Sequence, residues 1–520
     1  MSAPRKARLA RETRVTPTPV RDQPGRLKVL FVASEVAPFR KTGGLADVAG
    51  TLPRSLSQRG IDVRVVMPLY QGIPWDRLDR LEGTLPVPMY FGQARAGVRL
   101  GRLPKSEVPV YFIEYNRFFD RPHLYGPPGQ AYSDNLERFA FFARAALELC
   151  KTLCFIPDVI HANDWQTALV PVYVNTVEWS KPLHGCGSLF TIHNLAYQGN
   201  FEGGAMFITG LGQEHYNSAE FEHFGDLNLM KAAIRHANLL STVSPTYARE
   251  IQTSAYGFGL DGELAQRSRD LRGVLNGIDT HAWDPAADPL VAAPFSAQDL
   301  TGKRTCKAAL QRQLGLPERP EVPIFGIVGR LTPQKGFDVL AHALDRIMSW
   351  DLQLVLLGDG DPEAEHFFTH IASRRSDRFR AHIGFDEGLA HRIEAGADFL
   401  LMPSRFEPCG LNQMYSQRYG TLPIVRGTGG LIDTVANYDQ ATGQGTGFVF
   451  WDLTPGALAD TVGWAMSTYF DRPGHITQMR QRAMGQDFSW DRAAAAYEQL
   501  YREAYLLRRG HAFPDPAAAS

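Results

Sequence analysis

Two turns of the chain combine glycines with cationic side chains. In the first, Lys41 stands two residues before Gly43 and Gly44, shortly after an apolar run. Paired glycines let backbone N–H groups approach an anion at a helix start, and a lysine adds a full positive charge. The pattern indicates either an anion site or an ordinary glycine turn with a solvated lysine. The GxxxxGK[ST] pattern of a Walker loop occurs nowhere in the chain.

The second such turn is GRLTPQKG, residues 329–336. It places Arg330 at the end of a predicted strand and Lys335 at the predicted start of a helix. Two cations beside the positive end of a helix dipole suit a diphosphate. Either cation alone would be an ordinary surface charge, and their combination favours phosphate binding.

A carboxylate and a second glycine pair follow further along the chain. Pro408 suits the first position of a helix, which predicts Glu407 at the N-cap, where it could cap the helix or face a ligand. The next strand–helix unit contains RGTGGL, residues 426–431, another glycine-opened helix start. Several turns in one sheet can thus bind an anion through their N–H groups, which favours a binding site over a purely structural role.

Two histidines lie at the ends of predicted strands. A histidine at such a position is more often structural than catalytic, and this applies to His161. His193 is followed by Asn194, and the pair offers hydrogen-bonding groups suited to sugar hydroxyls.

Other patterns argue against a dinucleotide fingerprint and a metal site. Residues 257–262 match GxGxxG, but the preceding segment predicts helix and loop rather than a strand, and no helix is expected to open from the motif. The five cysteines form no CxxC pair, and HExxH is absent. We therefore predict reduced thiols, no metal and no resident cofactor.

The elements that must position these residues alternate between short β-branched runs and helical patterns. Strands are predicted at 28–34, 62–68, 108–115, 158–162, 188–193, 239–244 and 322–331, and the alternation continues with the runs 352–358, 380–385, 397–404, 421–427 and 446–452. Helices are predicted over 45–58, 135–153 and 490–508, and residues 332–347 are predicted to be a turn entering a helix. Such alternation is typical of βαβ units with mainly parallel sheets. The predicted fold class is α/β, with two doubly wound Rossmann-like domains facing a cleft. Ligands of such sheets bind beyond the carboxyl ends of the strands, where the candidate residues fall.

The length of 520 residues also favours two domains, because single cores stop growing at roughly 250–300 residues. A proline- and charge-rich stretch between about 280 and 322 supplies a break in the pattern. We predict an N-terminal domain over 27–275 and a C-terminal domain over 276–485. A helix at 486–510 is expected to pack back on the N-terminal domain, with tails at 1–26 and 511–520.

The composition indicates a globular protein without an overall charge bias. Lys plus Arg is 54 and Asp plus Glu is 55, so no general attraction to nucleic acid or to a membrane surface is expected. No apolar run is long enough to span a membrane, and no secretory signal is predicted, which favours a cytoplasmic location. Residues 1–26 carry seven basic residues against Glu12 and Asp22 and are predicted to be a disordered tail.

A series of motifs in chain order resembles the bacterial glycogen synthases, which are retaining glycosyltransferases of GT-B architecture related to plant starch synthases. The resemblance covers roughly residues 28–505. The motifs are KTGGLADVAGTLP (41–53), HANDW (161–165), TIHNLAYQG (191–199), VLNGID (274–279), GRLTPQKG (329–336), SRFEPCGLNQMYSQRYGTLPIVRGTGG (404–430) and TGFVF (446–450).

The resemblance assigns roles to individual residues. Lys41 matches a nucleotide-sugar-binding lysine, and Arg330 with Lys335 matches a diphosphate clamp. Glu407 matches an essential glutamate, and His193 matches a histidine beside the donor glucose. The other donor-binding positions that the resemblance implies are Gly43, Gly44, Asp47, Asp164, Asn194, Asn276, Phe385, Cys409, Gly410, Leu411, Thr428, Gly429 and Gly430. Relatives often carry a tyrosine where this chain has Phe385, so the ring face for adenine is kept and the hydroxyl is lost.

The resemblance implies transfer of glucose from ADP-glucose to the non-reducing 4-hydroxyl of an α-1,4-glucan such as glycogen, with retention and without metal. Two alternatives stay open. One is a related retaining enzyme that uses UDP-glucose or a small acceptor, and the other is a glucan-binding scaffold that has lost catalysis. The expected partners are the donor and the glucan, with neither nucleic acid nor membrane. The sequence carries no indication of an oligomeric state.

Overall fold

The computed structural model describes residues 14–15, 25–127 and 129–514. The chain forms two compact units. Unit 1 contains the described residues of Met1–Thr242, Ile251–Val274 and Trp490–Ser520, and unit 2 contains Val243–Glu250 and Leu275–Ser489.

Unit 1 is built on an eleven-stranded sheet. It also contains a separate three-stranded antiparallel sheet. The strands of the large sheet are β1 (Arg14–Val15), β2 (Lys28–Val32), β3 (Asp62–Pro68), β4 (Asp79–Leu81), β5 (Leu85–Met89), β6 (Gly92–Arg102), β7 (Pro109–Glu114), β8 (Val159–Asn163), β9 (Gly187–Ile192), β13 (Leu239–Thr242) and β14 (Leu271–Gly273). The small sheet contains β10 (Asn200–Glu202), β11 (Glu222–His223) and β12 (Asp226–Asn228). The helices are α1 (Gly44–Gln58), α2 (Asn116–Phe119), α3 (Asn135–Thr152), α4 (Leu169–Asn175), α5 (Leu229–His236), α7 (Asp261–Gln266) and α16 (Trp490–Arg509).

Unit 2 contains a six-stranded sheet in which every neighbouring pair is parallel. Its strands are β15 (Ile324–Val328), β16 (Gln353–Gly358), β17 (Phe379–Ile383), β18 (Phe399–Met402), β19 (Leu422–Arg426) and β20 (Phe448–Phe450). Its helices are α6 (Pro245–Glu250), α8 (Thr301–Leu314), α9 (Phe337–Ile347), α10 (Pro362–Arg374), α11 (Glu387–Gly396), α12 (Asn412–Arg418), α13 (Gly429–Thr434), α14 (Pro455–Asp471) and α15 (Pro473–Met484).

Both sheets follow the doubly wound strand order, which confirms the predicted fold class. Unit 2 has the order β17-β16-β15-β18-β19-β20, and the parallel part of unit 1 has the order β7-β3-β2-β8-β9-β13-β14. In each case the order reverses beside the first strand of the set, at β2 and at β15. This reversal is the position at which such sheets bind ligands.

The buried strands were predictable because both of their faces are apolar. In β2, Val29–Val32 are fully or almost fully buried, and β18 is buried along its whole length. Helix α3 is buried along most of its circumference, including Arg138, whose guanidinium donates to the Phe118 carbonyl at 2.8 Å and to Asn135 at 2.6 Å. A buried charge of this kind requires such partners.

The antiparallel strands β4, β5 and β6 and the small sheet were absent from the sequence prediction. Strand β6 alternates arginine, glycine and small apolar residues, so its core-facing side carries little hydrophobic signal. The pairing with β7 is what defines it, and pairing partners are not visible in a local pattern.

The predicted boundary between the domains differs from the observed division at residues 243–250, which belong to unit 2. The Thr246 N–H and hydroxyl donate to the Asp433 carboxylate at 2.8 and 2.7 Å, and the Ser244 hydroxyl donates to the Pro408 carbonyl at 2.6 Å. These long-range hydrogen bonds attach α6 to unit 2.

The predicted N-terminal tail lies outside the described residues except for two short pieces. Arg14 and Val15 form β1, which pairs in parallel with Arg80 and Leu81 of β4, so disorder was the wrong prediction for those two residues. Gly25 and Arg26 are also described, and Arg26 donates to the Gly60 carbonyl at 2.6 Å. The last described residue of the C-terminal tail is Pro514.

Helix α16 packs on α1 and β9 of unit 1. The Tyr501 hydroxyl lies 2.9 Å from His161 Nδ1, and the Thr191 hydroxyl lies 2.6 Å from His161 Nε2. Burial lowers the pKa of His161 well below its ordinary value, so the imidazole is neutral. His161 therefore links the sheet to the C-terminal helix and has a structural role.

We expect Tyr501→Phe to lower the free energy of unfolding by about 1–3 kcal/mol, because it leaves a ring nitrogen of the buried His161 without a partner. Urea denaturation followed by circular dichroism measures the change. Tyr505→Phe on the same helix is the control, since its hydroxyl makes no hydrogen bond within the described part of the chain. Equal stability of the two variants would contradict the role of His161.

Candidate active site

Three adjacent strands of unit 1 bring candidate residues to one edge of the sheet. Strands β2, β8 and β9 are parallel neighbours, so their carboxyl ends lie side by side. The turn containing Lys41 follows β2, Asp164 follows β8 and His193 follows β9. Residues separated by more than a hundred positions in the chain therefore share one edge.

Lys41 is half-exposed and paired with a second predicted site residue. Its Nζ lies 2.7 Å from Asp47 Oδ1, one turn into α1. Gly43 precedes α1, and Gly44 is its first residue. This arrangement matches the predicted glycine-opened helix.

The anion at this helix start is a carboxylate of the chain itself. Glu35 accepts from the backbone N–H groups of Thr42 at 2.5 Å and Gly43 at 3.3 Å, and from the Thr42 hydroxyl at 3.0 Å. The Tyr125 hydroxyl donates to the same carboxylate at 3.2 Å. Burial raises the pKa of Glu35, while the hydrogen bonds from Thr42 and Gly43 oppose that shift. Glu35 therefore fixes the loop that carries Lys41.

Asp164 has a strained backbone and joins two strand ends. Its φ of 56° is unusual for a residue other than glycine. Its Oδ1 accepts from the His193 N–H at 2.7 Å and from the Asn194 N–H at 3.4 Å. Burial raises the pKa of Asp164 to about 7. The side chain thereby fixes the position of the His193–Asn194 turn.

His193 is buried and uncharged. Desolvation lowers its pKa to about 3, and its Nε2 lies 2.9 Å from the Asn163 side-chain oxygen. A neutral imidazole can take part in hydrogen bonds but supplies no positive charge. Asn194 accepts from the Ala196 N–H at 3.1 Å through its side-chain oxygen.

In unit 2, the switch-point strands bring together the other candidates. Strands β15, β18 and β19 are parallel neighbours, and they are followed by the turns at 329–336, 403–411 and 427–428. Arg330 is exposed, and no hydrogen-bond or ion-pair partner for its guanidinium lies within residues 25–127 or 129–514. Lys335 ends a short 3-10 turn, and α9 begins two residues later, so Lys335 precedes the helix rather than opening it.

The Lys335 ammonium and the Glu407 carboxylate form an ion pair across two of these turns. The distance from Nζ to Oε2 is 2.6 Å, between residues 72 positions apart. The Ser404 hydroxyl donates to the same oxygen at 3.1 Å. Glu407 is buried, and the Lys335 side chain is 25% exposed. The cation thus remains accessible to a ligand while the carboxylate is held in place.

The prediction that Glu407 is an N-cap is wrong. Helix α12 begins at Asn412, five residues later, and residues 403–411 form a loop. Gly410 has a φ of 71°, a left-handed conformation that interrupts any helix from Pro408. The Glu407 side chain contacts Lys335 and Ser404, so its place is set by tertiary contacts.

The glycine pair before Leu431 allows two backbone segments to meet. A Cβ on Gly429 would lie 1.9 Å from the Glu407 carbonyl oxygen, and one on Gly430 would lie 2.0 Å from that of Cys409. The Gly430 N–H also donates to the Glu407 carbonyl at 3.0 Å. These glycines are therefore required for the loop that carries Glu407 to pack on α13.

A second glutamate accepts hydrogen bonds from a hydroxyl and an N–H group at this helix start. Glu250 Oε1 accepts from the Thr428 hydroxyl at 2.9 Å and from the Gly429 N–H at 3.0 Å. Burial raises the pKa of Glu250, and the Gly429 N–H opposes that shift. Both predicted glycine-opened turns thus contact a carboxylate of their own unit.

Asn276 carries a buried acceptor without a protein partner. The residue is 6% exposed, and its side-chain oxygen makes no hydrogen bond within the described residues. Its backbone N–H donates to the sulfur of Cys409, whose thiol pKa burial raises to about 12. Leu411 is half-buried directly before α12. An unsatisfied buried acceptor next to this loop indicates a place for a ligand donor group.

Phe385 lies in the turn after β17 and is 81% exposed. An aromatic face this open is available for stacking.

The GxGxxG match at 257–262 differs in part from its prediction. The preceding segment is helical at α6, as expected, but α7 opens within the motif at Asp261. The exclusion of a dinucleotide fingerprint rests on the missing strand, because no strand leads into these glycines.

Sequence reasoning missed Glu35 and Glu250. Glu35 directly follows the apolar run of β2, and an acidic residue at that point was a usable signal. Glu250 acts on Thr428 across 178 residues, and nothing in its local sequence indicates this contact.

We expect Gly430→Ala to lower stability by about 1–3 kcal/mol, because the added methyl group overlaps the Cys409 carbonyl. Gly43→Ala is the matched control. Its φ is −151°, and no atom lies within 4 Å of the added Cβ, so its cost should stay below about 1 kcal/mol. Thermal and urea melting of both variants measure the difference, and a larger loss for Gly43→Ala would contradict the packing argument.

Comparison with known proteins agrees with this geometry. Residues 28–266 match the family model described as starch synthase catalytic domain, and residues 309–483 match glycosyl transferases group 1. The chain is 50% identical to glycogen synthase 1 of Geobacter metallireducens over 93% of this chain and 97% of that protein. It is 51% identical to glycogen synthase of Anaeromyxobacter sp. over 92% of this chain and 99% of that protein.

A solved structure shows the same architecture. The catalytic domain of starch synthase IV from Arabidopsis thaliana, bound to ADP and acarbose, matches with a TM-score of 0.86 and 35% identity, covering 92% of this chain and 99% of that chain. Similarity of this extent to characterised families over nearly the whole length shows common membership. The chain belongs to the glycogen synthase family of GT-B glycosyltransferases, which also includes the starch synthases.

Proposed function

We propose that this chain transfers glucose from ADP-glucose to the non-reducing 4-hydroxyl of an α-1,4-glucan, with retention of configuration and release of ADP. The observation that carries the proposal is the Lys335–Glu407 ion pair, which sits beside the accessible Arg330 turn at the switch point of unit 2. The pair provides the Lys335 cation, which can contact a diphosphate, and the Glu407 carboxylate next to that cation.

The diphosphate is the leaving group, so negative charge grows on it as the glycosidic bond breaks. We propose that Arg330 and the partly exposed Lys335 side chain stabilise that charge. Preorganised cations do so without reorganising at the moment of reaction. We propose that they act without a divalent ion. The Lys41 ammonium, which is paired with Asp47, is proposed to contribute a further contact to the donor.

The sugar gains oxocarbenium character in the same step, and polar groups around it stabilise that state. We assign this role to Glu407 and to the acceptor oxygen of Asn276. His193 is neutral, and we propose that it positions a glucose hydroxyl through a hydrogen bond. The N–H groups of the 409–411 loop are proposed to hold the sugar, and the Phe385 ring is proposed to stack on adenine.

The proposed step conserves atoms and charge. The acceptor 4-oxygen attacks the anomeric carbon from the face of the departing diphosphate. The bond from that carbon to the phosphate oxygen breaks, and the acceptor proton passes to a diphosphate oxygen. Retention follows because both bonds lie on the same face of the ring.

ADP release from purified protein with a glycogen primer tests the proposal. ADP-glucose should support chain elongation, and EDTA should leave the rate unchanged. If only UDP-glucose supports turnover, Phe385 does not stack on adenine, and the protein is a related retaining enzyme that uses UDP-glucose. Glycogen binding without turnover on either donor would favour the alternative of a glucan-binding scaffold that has lost catalysis.

No helix among the described residues is long and apolar enough to cross a membrane. The cytoplasmic location and the absence of nucleic-acid and membrane partners stay predictions.

We expect Glu407→Gln to lower kcat by about 100-fold or more, because removing a preorganised group that acts in the transition state costs this much. Glutamine keeps the side-chain volume and an acceptor for Ser404, so the melting temperature should change little. Steady-state kinetics with ADP-glucose measure kcat. Glu498→Gln is the matched control, because Glu498 of α16 is also partly buried and ion-paired, with Arg59 at 2.9 Å and Arg502 at 3.1 Å. Wild-type turnover of a folded Glu407→Gln protein would exclude the assigned role.

A further inference from the structure

Three buried polar groups of unit 1 have no hydrogen-bond partner among the residues that the structure describes. They are the Tyr70 hydroxyl, the Arg138 Nη2 group and the Arg40 Nε–H group. Tyr70 is 2% exposed, and Arg138 is fully buried. Native proteins leave few buried polar groups unpaired, so a cluster of three indicates a ligand that pairs with them.

All three side chains contact one short segment, residues 118–122. The Tyr70 ring centroid lies 5.7 Å from that of Phe119, and Arg138 Cζ lies 5.5 Å from the same centroid. Arg40 Nη2 donates to the carbonyl of the last residue of this segment at 2.8 Å. Burial raises the pKa of Tyr70, and the nearby charges of Arg138 and Arg40 oppose that shift. The hydroxyl and the two guanidinium groups therefore share one region of unit 1.

Neither guanidinium group forms an ion pair with a carboxylate within the described ranges. Arg138 and Arg40 donate only to uncharged oxygen atoms of the chain. Asp134 lies within electrostatic range of Arg138, but its carboxylate is held by Arg121 at 2.5 and 2.7 Å. The Glu35 carboxylate accepts from the turn that follows β2 and from a tyrosine hydroxyl. Because a buried charge requires a partner, a counterion is expected beside Arg138.

The open hydrogen-bonding groups identify the class of ligand. Guanidinium N–H groups can only donate, and a tyrosine hydroxyl can donate as well. A water molecule would need acceptors for its own hydrogens, whereas a small anion accepts all three hydrogen bonds and also balances the positive charge. Tyr70 and Arg138 are closed off from solvent, which favours a compact anion over a bulky one.

We propose that Tyr70, Arg138 and Arg40 form a binding site for a small inorganic anion, with chloride as the ligand. The three groups donate their hydrogen bonds to the ion, and the ion acts as the counterion of the buried guanidinium. The site is independent of the sugar donor that the chain uses, since none of its residues belongs to the proposed catalytic or donor-binding groups.

A chain of hydrogen bonds connects this site to the turn that carries Lys41. Arg138 Nη1 donates to the Asn135 side-chain oxygen at 2.6 Å, and the Asn135 amide donates to the Tyr125 carbonyl at 2.9 Å. The Tyr125 hydroxyl donates to Glu35 at 3.2 Å, and Glu35 holds the turn. The anion thus supports the Lys41 turn from the interior of unit 1.

Thermal unfolding of the full chain in sodium chloride and in sodium gluconate of equal ionic strength tests the site. A ligand that binds only the folded state raises the melting temperature as its concentration increases. Wild type should gain stability as chloride replaces the bulky gluconate, and the rise gives the Kd for chloride. Tyr70→Phe should raise this Kd by about 10-fold or more, the factor expected for one hydrogen bond to a charged group.

Tyr173→Phe is the matched control. Tyr173 is also fully buried, but its hydroxyl donates to the Thr209 carbonyl at 2.7 Å. This variant should lose equal stability in both salts and keep the wild-type Kd for chloride. Arg40→Gln changes a less buried position of the site and should weaken chloride binding as well, so the test remains decisive if Tyr70→Phe does not fold.

Bromide soaked into crystals of the full chain gives an independent readout, because it replaces chloride and scatters anomalously. We expect a bromide peak within hydrogen-bond distance of the Tyr70 hydroxyl and both guanidinium groups. A water molecule at this position without bromide would overturn the proposal. A chloride effect of equal size in wild type, Tyr70→Phe and Arg40→Gln would also overturn it, since it would show a general salt effect only.

Discussion

The close approach of the Glu407–Cys409 backbone to the Gly429–Gly430 pair is the constraint on which the unit 2 site depends. Carbonyl oxygens of the first segment occupy the space that a Cβ would need in the second. This contact holds residues 403–411 as a loop and places the Glu407 carboxylate against Lys335.

In each unit, a glutamate accepts hydrogen bonds from the glycine-opened turn. Glu35 accepts from Thr42 and Gly43 in unit 1, and Glu250 accepts from Thr428 and Gly429 in unit 2. N–H groups at a helix start carry partial positive charge and need an acceptor. In each unit a glutamate supplies one, so the turns are fixed before any ligand arrives. In the proposed function, the cationic side chains Lys41, Arg330 and Lys335 carry the electrostatic part of anion binding.

Charge is distributed unevenly over the candidate residues. His193 is neutral because burial opposes its protonation, and Asp164 uses its carboxylate on the backbone of the next strand end. These two residues order the edge of the unit 1 sheet by hydrogen bonds. The accessible charges of unit 2, on Arg330 and Lys335, are the ones that we propose stabilise the developing anion.

The sequence by itself determined the parallel strands, the long helices and the strand ends at which the site residues lie. Buried strands such as β2 and β18 are apolar on both faces, and that pattern is local. Only the tertiary structure decided that Glu407 lies in a loop, that α6 belongs to unit 2, and that Glu35 and Glu250 occupy the glycine turns. Those outcomes depend on contacts between residues far apart in the chain. A local sequence pattern does not show which distant segment will pack against it.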